Sequence, residues 1–231
     1  MHPHGNYLPT DKMCDLICEN HTLLQVMSRF GLPLGCGEKT VEEVCRENGV
    51  DAATFLAVIN FVLDDCNELV RHPEALSVPC LMDYLRRAHH YFLDFCLPQI
   101  RRKLVEALEG SEQNDVALLI LRFYDEYTAE VRRHMDYEDS HVFTYVDQLL
   151  QKMPAEGYSI HTFARRHDRI DSKLTELKNI IIKYYSASGN HYLLHSVLFD
   201  IFSCERDLSA HCKTEDLIFI PAVACIERRQ S

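Results

Sequence analysis

Two short spacings carry the chemistry of this chain. His134-Met-Asp-Tyr-Glu138 and His211-Cys-Lys-Thr-Glu215 each set an imidazole four residues ahead of a carboxylate. On a helix, that interval puts both groups on one face, a single turn apart. Imidazole nitrogen and carboxylate oxygen without thiolate suit iron or manganese better than structural zinc, which prefers tetrahedral Cys/His sets. The interval alone is common in a chain with 13 histidines and 35 acidic residues, and His90/Asp94 and His167/Asp171 repeat it. What lifts the two pairs above coincidence is the set of elements that must hold them.

From Cys80 onward the pattern predicts four long helices, about 80–109, 114–151, 159–187 and 190–227. They are separated by Gly110-Ser111, Pro154 to Gly157 and Ser188-Gly189, short breaks that suit antiparallel neighbours. On the last helix the apolar stripe runs Leu194, Val197, Ile201, Cys204, Leu208, His211, Glu215, Ile218, Ala222. On the second it runs Ala117, Ile120, Tyr124, Tyr127, Val131, His134, Glu138, His141, Tyr145, Leu149. The third gives Ile160, Phe163, His167, Ile170, Leu174, Leu177 and Ile181, and the first gives His90, Leu93, Leu97, Ile100 and Leu104. Each inward stripe therefore contains a histidine, and two contain a carboxylate as well.

The histidines also share a level. His90 stands about 21 residues before the first break and His134 about 23 after it; His167 and His211 stand about 21 before and 23 after the third. The middle connection is less regular, and the loop around Pro154 can absorb the difference. Six groups, His90, His134, Glu138, His167, His211 and Glu215, thus fall in one layer. Burying two carboxylates there without cations would cost several kcal/mol each, and no Lys or Arg shares the stripes. Two metal ions supply the charge, with both glutamates able to bridge them and each ion taking two terminal histidines; iron is expected, with manganese or zinc as possible substitutes. His89 competes with His90 from the adjacent face, and the spacing of His90 to Pro98 favours the latter. Glu130, His141 and Tyr127 are candidates for the shell around the ligands. A ferritin-like oxidase would need Glu-x-x-His twice, and only Glu138-x-x-His141 fits on a stripe.

The residues before Cys80 read as a separate small helical region. One helix covers roughly Asp11 to Phe30 and stops at Gly31-Leu-Pro33. The capping box Thr40-Val-Glu-Glu43 opens a second, which closes near Asn48-Gly49, and Asp51 caps a third. The expected organisation is a helical domain over 1–66, a linker over 67–79 with Pro73 and Pro79, and a four-helix bundle over 80–231. No strand signal is present, so the fold class is all-α.

These motifs resemble the repair-of-iron-centres di-iron proteins of the YtfE/ScdA type, within the hemerythrin-like superfamily. His90 with Pro98, His134-x-x-x-Glu138 with Phe143, Arg166-His167-Asp168, and His211-x-x-x-Glu215 with Pro221 each look like one of that family's ligand segments. The resemblance implies terminal ligands His90, His134, His167 and His211, with Glu138 and Glu215 bridging. Gly31-Leu-Pro-Leu-Gly-Cys-Gly37 and Thr40-Val-Glu-Glu-Val-Cys45 are similar to its small amino-terminal domain. That family carries two adjacent cysteines where this chain has Gly35-Cys36, so Cys36 is a lone reactive-thiol candidate. The resemblance implies protection or repair of iron–sulfur proteins under oxidative or nitrosative stress, by iron donation or nitric oxide handling. Two other functions share the same ligands: reversible binding or sensing of dioxygen or nitric oxide without turnover, and a di-iron nitric oxide reductase or peroxidase.

Composition narrows the rest. A formal charge of −11 argues against nucleic acid. No run is long enough to span a membrane, and the amino-terminal residues lack the regions of a signal peptide, so a cytoplasmic protein is expected. Ten cysteines contain no C-x-x-C pair; Cys96, Cys204 and Cys225 fall in apolar patterns and read as buried thiols.

Overall fold

The computed structural model describes residues 6–63, 71–108, 115–153, 159–164, 172–185 and 191–230. His167, Arg166, Asp168, Ile170 and the three predicted turns of the carboxyl-terminal region lie outside these, as does the start of the predicted linker at Asn67. The described residues form helices and no strand, with one isolated antiparallel bridge between Lys12 and Thr40. The all-α expectation holds. No described helix is long and apolar enough to cross a membrane.

Four short helices come first: α1 (Met13–Glu19), α2 (Leu23–Phe30), α3 (Val41–Glu47) and α4 (Ala52–Leu63). The single helix expected over Asp11 to Phe30 is divided at Asn20. Its backbone is extended, and its side-chain oxygen accepts bonds from the Thr22 amide at 3.1 Å and hydroxyl at 2.7 Å. That local bonding competes with helix continuation. Gly31 ends α2 in the left-handed conformation at φ 70°, which favours glycine, and a Cβ there would have to displace the Arg87 guanidinium, whose Nη1 would stand 1.8 Å away. The capping box forms as expected. Glu43 N donates to Thr40 Oγ1 at 3.3 Å, and Thr40 N donates to Glu43 Oε2 at 2.9 Å. Asp51 Oδ1 accepts from Thr54 N at 2.8 Å, opening α4.

The long helices follow in segments. α5 (Val78–His90) passes through a π turn at Tyr91–Cys96 into α6 (Leu97–Ala107). α7 (Asp115–Tyr137) passes through a second π turn at Glu138–Val142 into α8 (Phe143–Leu150). α9 (Ile160–Ala164) and α10 (Ser172–Tyr184) come next. α11 (His191–Thr214) meets a third π turn at Glu215–Phe219 and ends in α12 (Ile220–Gln230). A π turn holds an i→i+5 bond and so one residue more than the α-helical pattern allows.

Packing divides the chain into two units. The first comprises Met1–Ala88, Phe143–Arg166 and Ala210–Ser231, and the second His89–Val142 and His167–Ser209. In the first, α2 and α3 both pack on α4, and Phe30 meets Phe55 edge-on with ring centres 5.2 Å apart. Ser77 N donates to Thr54 Oγ1 at 2.8 Å, tying the chain before α5 to α4. α12 lies against α8 and α9, and Glu227 accepts both the Tyr145 hydroxyl and the Ile160 amide. In the second unit α7 packs on α6 and α10. Tyr124, fully buried, donates its hydroxyl to the Leu97 carbonyl at 2.8 Å, and Lys103 pairs with Asp200 at 2.6 Å.

Candidate metal centre

In the second unit, candidate ligands cluster around Glu138. Glu138 opens the π turn after α7 and is 1% exposed, and His89, near the end of α5, is equally buried. His89 Nε2 lies 3.3 Å from Glu138 Oε2, while His134 Nε2 lies 3.0 Å from Glu138 Oε1. One carboxylate therefore faces a different imidazole with each of its oxygens. In the first unit His211 Nε2 lies 3.1 Å from Glu215 Oε1, with side-chain exposures of 0% and 1%. As in the second unit, the glutamate is the first residue of a π turn. His89, Glu138, His211 and Glu215 are each buried and each able to offer a ligand atom to a metal ion, and none of these donors is a cysteine.

The structure buries His89, and not the expected His90, beside Glu138. The His90 side chain is 80% exposed and pairs with Asp94 at 3.0 Å. The cause is the π turn at Tyr91–Cys96. Upstream, the buried stripe runs Leu81, Leu85, Ala88, Phe92; downstream it runs Leu97, Ile100, Leu104. The step from Phe92 to Leu97 is five residues, and the extra one rotates α5 by about 100° relative to a regular helix. Counting back from Leu97 and Pro98 through an unbroken helix reaches His90; counting forward from Leu81 reaches the face of His89. That mismatch between two stripes is the signal through which the sequence could have revealed the insertion.

A second departure has the same origin. His141 is exposed, stacked on Tyr137 with ring centres 4.6 Å apart, and Val142 takes the buried position after the π turn at Glu138. Glu130 is half-buried and forms an ion pair with Lys173. Tyr127 is fully buried on the stripe that leads to His134 and Glu138. His167 lies outside the described residues. Cys36 is partly exposed on its glycine loop and free of disulfide. Cys204 and Cys225 are buried as expected, whereas Cys96, inside a π turn, is partly exposed.

The donors suit a hard or borderline cation. Two carboxylates at 1% exposure are costly to bury as anions unless cations approach them, and neutral imidazole is the commonest protein ligand to transition metals. π turns also recur where helices carry function, and two of the three among the described residues begin at a candidate ligand. The model of the hemerythrin HHE cation-binding domain matches residues 80–223.

This chain belongs to the hemerythrin HHE cation-binding family. The fold is accordingly an all-α, hemerythrin-like bundle with a cation-binding domain, and both His-x-x-x-Glu pairs fall inside the matched segment. No curated protein matches the chain.

Proposed function

We propose that this hemerythrin-like domain holds a carboxylate-bridged pair of iron ions and serves to protect or repair iron–sulfur proteins under oxidative or nitrosative stress. The observation that carries the dinuclear reading is Glu138. Its two oxygens face His89 and His134 separately, at 3.3 and 3.0 Å, the arrangement a bridging carboxylate needs if each ion has its own imidazole. His211 and Glu215 repeat the chemistry with a second buried carboxylate, and the family model spans both motifs as one domain. His89, His134, Glu138, His211 and Glu215 would hold the pair, with His167 as the remaining histidine of the set. The repair role rests on the motif resemblance to the repair-of-iron-centres proteins, in both the bundle and the amino-terminal segment around Cys36.

Bound iron would supply redox chemistry and open coordination positions for a small ligand. The chain's own groups orient and enclose it: the glutamates neutralise the added charge, and Tyr127, Val131 and Val142, all fully buried, keep bulk water away. Clients or gaseous ligands in the cytoplasm are the proposed partners.

The test is iron content and optical spectrum of protein from iron-replete cells, beside a Glu138→Ala, Glu215→Ala double variant. About two irons per chain, lost in the variant, support the dinuclear centre; sub-stoichiometric iron unaffected by the substitutions refutes it. Restoration of a peroxide-damaged iron–sulfur enzyme by the loaded wild type, and not by the variant, tests the repair role. Consumption of nitric oxide over many turnovers with an electron donor would instead favour a reductase.

A further inference from the structure

Asp139 follows Glu138 directly, and the two carboxylates meet opposite sides of a single imidazole. His89 presents Nε2 to Glu138 Oε2 at 3.3 Å and Nδ1 to Asp139 Oδ1 at 2.9 Å. An ionised carboxylate can only accept a hydrogen bond, so the proton of that bond sits on Nδ1. In the neutral ring the lone pair then belongs to Nε2, the nitrogen that faces Glu138. The His89 side chain is 2% exposed and Asp139 is 43% exposed, which places the aspartate at the rim of the buried group rather than within it. A histidine ligand needs both the correct tautomer and a fixed ring plane, and an outer carboxylate supplies the two together.

We propose that Asp139 is a positioning residue for His89: it holds the Nδ1–H tautomer and the ring orientation that present Nε2 to a metal ion shared with Glu138. The inference rests on the metal-centre reading above and goes beyond it by assigning a residue that offers no ligand of its own. Two neighbouring carboxylates at the start of the π turn thus divide the work. Glu138 faces the inner nitrogen, and Asp139 sets which nitrogen that is.

The experiment is anaerobic titration of the full-length, metal-free chain with iron(II) against a competing chromophoric chelator. The variants are Asp139→Ala, Asp139→Asn, His89→Ala, and His89→Ala combined with Asp139→Ala. Asp139→Ala is expected to weaken binding about 10–100-fold. Asp139→Asn keeps an acceptor oxygen for Nδ1–H and is expected to recover most of that loss. In the His89→Ala background, Asp139→Ala should add nothing, because the aspartate acts only through the ring. A general structural role would weaken binding in both backgrounds, and that result overturns the proposal, as does wild-type affinity in Asp139→Ala. Thermal unfolding of each metal-free variant, expected to match the wild type for Asp139→Ala, separates binding loss from unfolding. A wild-type chain that takes no iron overturns the metal reading and this inference together; intact wild-type binding with an unaffected Asp139→Ala overturns this inference alone.

Discussion

Substituting the two adjacent histidines separately gives the sharpest test of how the π turn orients α5. His90→Ala removes a side chain that is 80% exposed and paired with Asp94, one turn on. Such surface pairs contribute about 0.3–0.5 kcal/mol, so stability and iron content should scarcely change. His89→Ala removes a buried imidazole with one nitrogen on Glu138 and the other on Asp139. Loss of an outer partner of a ligand already costs about 10–100-fold in affinity, and loss of the ligand itself should exceed about 100-fold. At a fixed excess of iron, a 100-fold weaker affinity removes about 2.7 kcal/mol of binding-linked stabilisation. For a chain of this size that corresponds to a drop of about 5–10 °C in the Tm of the loaded protein. The assay is iron per chain after desalting, with thermal unfolding in the presence and absence of iron. If His90→Ala loses iron while His89→Ala retains it, the rotation assigned to the π turn is wrong.

Tyr124→Phe removes the hydroxyl that reaches the Leu97 carbonyl at 2.8 Å in a fully buried site, and should destabilise the chain by about 1–2 kcal/mol in denaturant titration; an unchanged midpoint would show that the bond contributes nothing. The Glu43 carboxyl is held below its ordinary value by the Thr40 backbone amide first and the Thr40 hydroxyl second. A depressed carboxyl contributes stability above its usual range and loses it as pH falls through the lowered value. Glu43→Gln, which can still close the capping box but carries no charge, should lose the charge-dependent part of the neutral-pH stability and flatten the acid loss by the same amount. An identical acid profile in wild type and variant would refute the linkage.

The stripe on α11 was legible almost completely, since Leu194, Val197, Ile201, Cys204, Leu208, His211, Glu215, Ile218 and Ala222 are all buried. Up to His211 the pitch is regular, and beyond it Ile218 and Ala222 stay buried despite the π turn because Phe219, Ile220 and Val223 are buried too, so more than one face of the segment is enclosed. His90 and His141 are the two stripe histidines that the structure leaves exposed: the first immediately precedes a π turn and the second lies within one, where regular helical pitch misplaces a side chain. Nothing in composition marks such a turn, and only the disagreement between stripes on its two sides reveals it. The capping box at Thr40 and the cap at Asp51 were readable because both are local. Asp139 was not, because an aspartate beside a glutamate on a helix reads as solvated, and its bond to His89 joins residues 50 positions apart.

The tandem histidines at the end of α5 have a genetic consequence. The π turn at Tyr91–Cys96 amounts to one surplus residue in an otherwise α-helical run. Loss of a single codon within it would shorten the step from Phe92 to Leu97 to a regular four residues and leave His89 on its inward face, whereas relaxation of the turn to regular pitch at unchanged length would rotate α5 by about 100° and bring His90 to the angular position that His89 now holds. The doublet therefore keeps an imidazole available in either register. Among the candidate ligand positions, the one on α5 is thus the one with a second imidazole next to it should its π turn relax, whereas Met135 and Cys212, the neighbours of His134 and His211, offer none.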